Sequence, residues 1–183
     1  MRDVVLLQWL SLDGVAEEPS DWFLDDGPEL FDLIGRVIAT QDDVLLGRGT
    51  YDYWAGYWPG SDVQPFADFI NATAKHIATS TALSHEWGQT VVMDEPPAAY
   101  VAELKRTQGR DIGIHGSTEL ARSLISARLV DEMRFVIPPV VAGHGKRLFA
   151  ADAADSLQQF ELIDVQRTPK GTLFVDYRIA PGS

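Results

Sequence analysis

Apolar and polar positions along the chain alternate between two regimes. Short unbroken apolar runs of strand length are separated by segments whose apolar residues recur at helical spacing. Residues 4–11 form the first run, and 43–46, 75–79, 89–93 and 111–115 follow it. The clearest helix is 28–40, where Leu30, Phe31, Leu33, Ile34, Val37 and Ile38 share a face. Asp26 is placed to cap it, and Pro28 suits its first turn. Helices are also predicted from about Thr50 through Trp54, over 63–72, from Asp94-Glu95-Pro96-Pro97 to about Thr107 with Gly109 closing it, and after Gly116-Ser117. Beyond residue 130 the pattern is strand only: 132–141, 158–167 and 172–179, the last two joined by the turn Thr168-Pro169-Lys170-Gly171. Alternating β and α elements followed by a β tail predict an α/β fold. Its sheet would be mostly parallel, covered on both faces, with antiparallel strands at one edge.

Composition narrows the function. The chain has 183 residues, 15 Lys plus Arg against 27 Asp plus Glu, a net charge of −12 and no cysteine. No linker or repeat divides it, so residues 1–183 read as one domain. A charge of −12 speaks against nucleic acid, whose binding rests on neutralising phosphates with Lys and Arg. The absence of cysteine removes disulfides, thiolate zinc sites and cysteine nucleophiles. His76, His85, His115 and His144 show no metal-ligand spacing, so no metal is expected. The first apolar run is too short to span a membrane and no cleavage site follows it, so a cytoplasmic protein is expected. The sequon at Asn71 is then a chance occurrence.

Two strand-to-helix junctions carry the chemistry. In Leu45-Leu46-Gly47-Arg48-Gly49-Thr50 a buried strand ends in glycine where a helix begins. Glycine lets a ligand approach the backbone, free N–H groups at a helix start favour an anion, and Arg48 adds a bidentate donor. The plain alternative is a tight turn with a surface arginine. Ile114-His115-Gly116-Ser117-Thr118 repeats the pattern, with Ser117 able to cap its own helix. Neither junction is a standard dinucleotide fingerprint. Gly143-His144-Gly145-Lys146-Arg147 fails as a phosphate-binding P-loop but reads either as an anion nest or as a loop with solvated charges. Asp13, at the end of the first strand, is either a turn residue or a proton donor and substrate contact; it is the candidate catalytic residue. Trp54, Tyr57 and Trp58 suit either ring stacking or packing.

At these residues the chain resembles the dihydrofolate reductase-like family, and within it the stand-alone relatives of the reductase domain of the bifunctional riboflavin-biosynthesis deaminase–reductase. The matching segments are Ser11-Leu12-Asp13-Gly14, the block from Leu45 to Tyr51, His115-Gly116-Ser117 with Leu120, Leu129-Val130-Asp131-Glu132, and the long block from Pro139 to Phe149. The resemblance implies a three-layer αβα fold around a mixed sheet with an antiparallel C-terminal edge, and NADPH as hydride donor. It implies that Gly47, Arg48 and Thr50 meet phosphates, that Gly116 and Ser117 meet the pyrophosphate, and that Thr79 and Ser80 lie near the adenosine 2′-phosphate. It further implies a homodimer and a small heterocyclic substrate, pterin-like or a ribosylaminopyrimidine. A binding module without turnover on the same fold is the alternative. Relatives often carry Ser-Arg-Thr-Leu where this chain has Thr79-Ser80-Thr81-Ala82, which removes one cation. Pro138 stands where relatives often have histidine. Asp32 does not match the acidic residue that holds the pterin in folate reductases. Without cysteine there is no zinc site for a deaminase.

Overall fold

The first strand shows how the sheet is covered. In a computed structural model, which describes residues 1–25, 27–149 and 158–179, strand β1 (Val4–Trp9) buries Val4 and Leu6 on one face and Val5 and Leu7 on the other. Side chains alternate between the two faces of a strand, so one that is apolar at successive positions must be covered on both sides. Helices α4 (Pro97–Leu104) and α5 (Thr118–Ser126) cover the Leu6 face through Val101, Leu120, Ala121 and Leu124. Helices α1 (Pro28–Ile38), α2 (Arg48–Tyr57) and α3 (Phe66–Ala72) cover the Leu7 face through Leu33, Ile34, Val37, Tyr51 and Ile70. The three-layer αβα architecture follows from that double burial.

The remaining strands are β2 (Gln41–Gly47), β3 (Ala74–Ala78), β4 (Thr90–Val92), β5 (Asp111–His115), β6 (Glu132–Ile137), β7 (Phe160–Arg167) and β8 (Leu173–Ile179). They form a sheet in the order β4-β3-β2-β5-β1-β6-β8-β7. The pairings from β4 through β6 are parallel, and β8 and β7 are antiparallel at the C-terminal edge. Fold class and strand succession are as expected from the pattern. Among the described residues no helix is long and apolar enough to cross a membrane.

Boundaries moved for local reasons. Strand β6 ends at Ile137 because Pro138 and Pro139 lack the N–H that a ladder needs. Helix α4 begins at Pro97 with Pro96 at its N-cap, and no side chain caps it, so neither Asp94 nor Glu95 has that role. It ends at Leu104, before the expected Thr107. The expected cap of α1, Asp26, lies outside the described residues; Gly27 is the N-cap residue and Pro28 opens the helix.

At the amino ends of the strands, buried Arg2 bonds Asp42, Asp43 (2.5 Å) and the Arg110 carbonyl (2.5 Å), which ties β1, β2 and β5 together. At the far edge, β7 exposes Leu162, Ile163 and Val165. The two strands should respond differently to truncation. Leu6→Ala is expected to cost about 2–5 kcal/mol in urea denaturation, and Leu162→Ala less than about 0.5 kcal/mol. Equal losses would contradict the assigned core.

Candidate active site

Strands β2 and β5 are parallel neighbours, with Leu45 paired to Ile114, so their carboxyl ends lie side by side. Each runs directly into a helix: β2 through Gly47 into α2, and β5 through Gly116 and Ser117 into α5. The two junctions are joined by one chain of hydrogen bonds. The Gly47 N–H donates to Ser117 Oγ (2.9 Å), Ser117 Oγ donates to Thr50 Oγ1 (3.0 Å), and Thr50 Oγ1 donates to the Gly116 carbonyl (2.9 Å). Ser117 is buried and is the N-cap residue of α5, yet makes no side-chain capping bond there. The expectation that it caps its own helix is corrected: its hydroxyl bridges to the neighbouring junction.

Gly116 has φ +62°, the left-handed region that side chains rarely adopt. A Cβ there would stand 2.7 Å from Trp54 Cζ2 and 3.2 Å from Thr50 Cγ2. The junction therefore needs glycine for both conformation and space. Because the first N–H groups of a helix have no acceptor within it, this arrangement sets two helix starts next to each other, an environment that favours an anion.

A cavity of about 1180 Å³ opens over these junctions. Gly47, Arg48 and Thr50 line it from one junction and Gly116 and Ser117 from the other. The cluster Trp54, Tyr57, Trp58 and Phe66 forms another part of the wall, with edge-to-face or tilted ring contacts of 4.9–5.8 Å. A second cavity of about 680 Å³ shares Arg48, Ala78 and Pro97 with the first and holds Thr79, Ser80, Asp94 and Glu95. Every cofactor residue predicted from sequence thus lies on one of two adjoining cavities.

Arg48 is not free. Its Nε donates to Asp52 (2.6 Å), Nη1 to Thr81 Oγ1 (2.6 Å) and the Ala82 carbonyl (2.7 Å), and Nη2 to Ser84 Oγ (3.0 Å). It holds the 81–84 loop against the start of α2.

Asp13 lies outside the lining of both cavities. Its Oδ1 accepts from Ser11 Oγ (2.7 Å) and the Ala142 N–H (3.0 Å), and its Oδ2 from the Gly143 N–H (3.1 Å). The Ser11 hydroxyl, with those backbone donors, holds the carboxyl down at about 2. It is an ionised acceptor that clamps the 142–143 loop, a geometry unsuited to a proton donor. The basic pair is also engaged: Arg147 Nε donates to the Asp13 carbonyl (2.8 Å), and Lys146 Nζ pairs with Glu119 (2.7 Å) at the cavity edge. Their paired state differs from both readings of the sequence, an anion nest and a loop with solvated charges.

Sequence reasoning missed three buried polar atoms in the main wall. Gln8 Nε2 donates to the carbonyls of Trp9 and Ala16, which leaves its Oε1 without a partner. His115 Nε2 faces Gln41 Oε1 at 2.8 Å, and Nδ1 has no partner. Trp58 Nε1 has none either. Such atoms are rare inside proteins. The only sequence signal was Gln8 itself, a polar residue interrupting an apolar strand. Burial lowers the His115 pKa to about 3, so the ring is neutral at pH 7. Among the described residues no group of His, Cys, Asp and Glu is placed to hold a metal ion.

With this geometry in view, comparison with known proteins gives a consistent picture. Residues 2–174 match the family described as the RibD C-terminal domain. The Bacillus subtilis protein YyaP, itself uncharacterised, is 29% identical over 156 residues, covering 81% of this chain and 80% of that one. A putative riboflavin biosynthesis protein from Shewanella sp. PV-4 superposes with a TM-score of 0.73 at 17% identity, over 97% of this chain and 99% of the other. A diaminohydroxyphosphoribosylaminopyrimidine deaminase/5-amino-6-(5-phosphoribosylamino)uracil reductase from Thermotoga maritima gives 0.69 at 14% identity, over 98% of this chain and 57% of the other. At these identities the structural likeness concerns the fold.

Two outcomes test the site geometry. Gly116→Ala should destabilise the fold by at least about 1–3 kcal/mol, from backbone strain alone, and should alter the emission of Trp54; an unchanged protein would contradict the close packing. His115 has a folded pKa below its ordinary 6.5, so it supports folding above pH 6.5 and that support falls away as the pH drops toward about 3. His115→Gln should flatten this part of the stability profile in urea titrations, and an unchanged slope would contradict a buried neutral ring.

Proposed function

Because the chain belongs to the RibD C-terminal domain family, we propose that it is a reductase of a small nitrogenous heterocycle that uses a nicotinamide dinucleotide as hydride donor. The observation that carries this reading is the pair of helix starts joined through Ser117 beneath a cavity with an aromatic wall. The arrangement suits an elongated ligand with an anionic centre and flat rings at its ends. In open α/β sheets ligands bind outside the carboxyl ends of the strands, where both junctions stand.

The residues present fit the dinucleotide as a class. The N–H groups at the starts of α2 and α5 would meet the pyrophosphate, with Gly47, Thr50, Gly116 and Ser117 shaping the cradle. Thr79 and Ser80 would border the adenosine ribose in the second cavity. NADPH is the expected donor, and Arg48 is the one cation lining that cavity; it would have to share its guanidinium between the 2′-phosphate, Asp52 and the 81–84 loop. When bound, the dinucleotide supplies a hydride. The chain's own contribution is orientation and partial exclusion of water: Trp54 packs on Gly116, and the neighbouring rings offer faces to a flat substrate. Asp13 acts as a positioning residue, fixing the 142–143 loop beside the cavity, and not as the acid. The homodimer expected from the sequence has a suitable surface in the exposed apolar side chains of β7, an edge strand of the kind that is commonly covered.

A second reading, a ligand-binding module without turnover, is favoured by one observation: His115 is held neutral and Asp13 ionised, so neither is a ready acid. Oxidation of NADPH or NADH with any of a panel of pterins, flavins and pyrimidines would exclude it.

Binding of the dinucleotide should raise the melting temperature by mass action, with about 2.7 kcal/mol of stabilisation at one hundred times Kd. No shift with either NADPH or NADH at millimolar concentration would overturn the reading. Arg48→Ala should weaken NADPH more than NADH in calorimetric titration, and equal losses would remove Arg48 from the 2′-phosphate site.

A further inference from the structure

The one cation of the second cavity is already committed. Among the residues that line it, Arg48 alone is basic. Every nitrogen of its guanidinium faces the protein: Nε donates to Asp52 (2.6 Å), Nη1 to Thr81 Oγ1 (2.6 Å) and the Ala82 carbonyl (2.7 Å), and Nη2 to Ser84 Oγ (3.0 Å). Bidentate capture of a phosphate needs a pair of parallel N–H groups that point the same way. Arg48 has no such pair left. Its release would also strand its partner, because Asp52 Oδ1 is buried without a hydrogen bond and the Arg48 bond to Oδ2 is what compensates this carboxylate.

The other walls of this cavity supply no replacement. Helix α4 borders it with its start, but the positions that line it are Pro96, the N-cap, and Pro97, the first helical residue, and proline has no N–H. After β3, the Thr81 N–H donates to Thr79 Oγ1 (3.1 Å), and that hydroxyl donates in turn to the Thr81 carbonyl (3.1 Å), so the turn closes on itself. The remaining charged residues of the lining, Asp94 and Glu95, are exposed carboxylates. They make no site in themselves. Their effect is a negative field beside a guanidinium whose charge Asp52 already offsets.

A ribose 2′-phosphate brings about −1.5 to −2 charges at pH 7, and it needs an uncommitted cation or open backbone donors to offset them. A ribose 2′-hydroxyl needs neither. In dinucleotide-binding α/β folds a carboxylate is the usual partner of the 2′-hydroxyl, as an arginine is of the 2′-phosphate. The pyrophosphate is unaffected, because the starts of α2 and α5 border the main cavity. We infer that the chain selects NADH over NADPH through the engaged state of Arg48 in the second cavity. The resemblance makes NADPH the expected donor, and this geometry departs from it. The inference rests on the reductase reading above and decides between the two forms of its dinucleotide. Arg48 remains the one attraction this cavity offers a 2′-phosphate, so its loss widens the preference.

The test is calorimetric titration of the unaltered protein, and of Ser80→Arg, with NADH and with NADPH. Ser80 is exposed and lines the same cavity, so the variant should fold normally and add an uncommitted guanidinium there. The unaltered protein should bind NADH at least about fivefold more tightly than NADPH. Ser80→Arg should raise the affinity for NADPH relative to NADH by at least about tenfold. If the unaltered protein binds NADPH as tightly as NADH, or more tightly, the inference is overturned. A Ser80→Arg variant whose ratio is unchanged overturns it as well. Binding of neither dinucleotide overturns the reductase reading and the inference with it, whereas tight binding of NADPH overturns the inference alone, so the two failures are distinguishable.

Discussion

The Ser117 hydroxyl holds the functional end of this molecule together. It accepts from the backbone of one strand–helix junction and donates to a side chain of the same junction, while its own backbone belongs to the other. That position exists only because β2 and β5 are parallel neighbours, so that two turns some seventy residues apart in sequence leave the sheet side by side. Double burial of the apolar strands fixes the neighbours, and the Arg2 cluster fixes their amino ends. At the carboxyl ends, the hydrogen-bond chain from Gly47 to Gly116 sets two helix starts at a fixed separation. Gly116 then admits Trp54 against the backbone, which joins the anion-favouring floor to the aromatic wall. Remove the Ser117 bridge and the half-buried Gly47 N–H loses its acceptor at the point where the two halves of the site meet.

The electrostatics of the site follow from an acidic chain economical with cations. A net charge of −12 speaks against an extended anionic partner, but it does not forbid one locally captured anion. The two cations of the main cavity, Arg48 at the start of α2 and Lys146 in the loop beside Glu17, are each tied to a carboxylate that holds it in place and reduces its net field. Away from the junctions the wall presents Glu17, Glu18 and Gln8.

What was legible in the sequence is what local physics determines. The alternation of apolar runs and helical periodicity gave the order of strands and helices, and the strand-only tail after residue 130 marked the antiparallel edge. Glycine-led junctions were visible because a strand ending in glycine before a helix is a local signature, and the structure brings both into one cavity with the residues named beside them. The misread residues are those whose partners are remote. Ser117 reads as a helix cap until Gly47 lies next to it. Asp13 reads as a turn residue or a proton donor until the N–H groups of Ala142 and Gly143, some 130 residues along the chain, close on it. Lys146 and Arg147 read as an anion nest or as solvated charges until Glu119 and the Asp13 carbonyl supply their partners. Gln8 gave no signal beyond its polarity, because an orphaned acceptor is a property of the packed wall.

The most direct test of the account is a crystal structure of the protein grown with NADPH or NADH. The account predicts a pyrophosphate within hydrogen-bond distance of the backbone N–H groups that open α2 and α5, the adenosine in the cavity beside Thr79 and Ser80, and the nicotinamide in the main cavity near Trp54. A dinucleotide bound elsewhere, or one whose pyrophosphate avoids both helix starts, would contradict it.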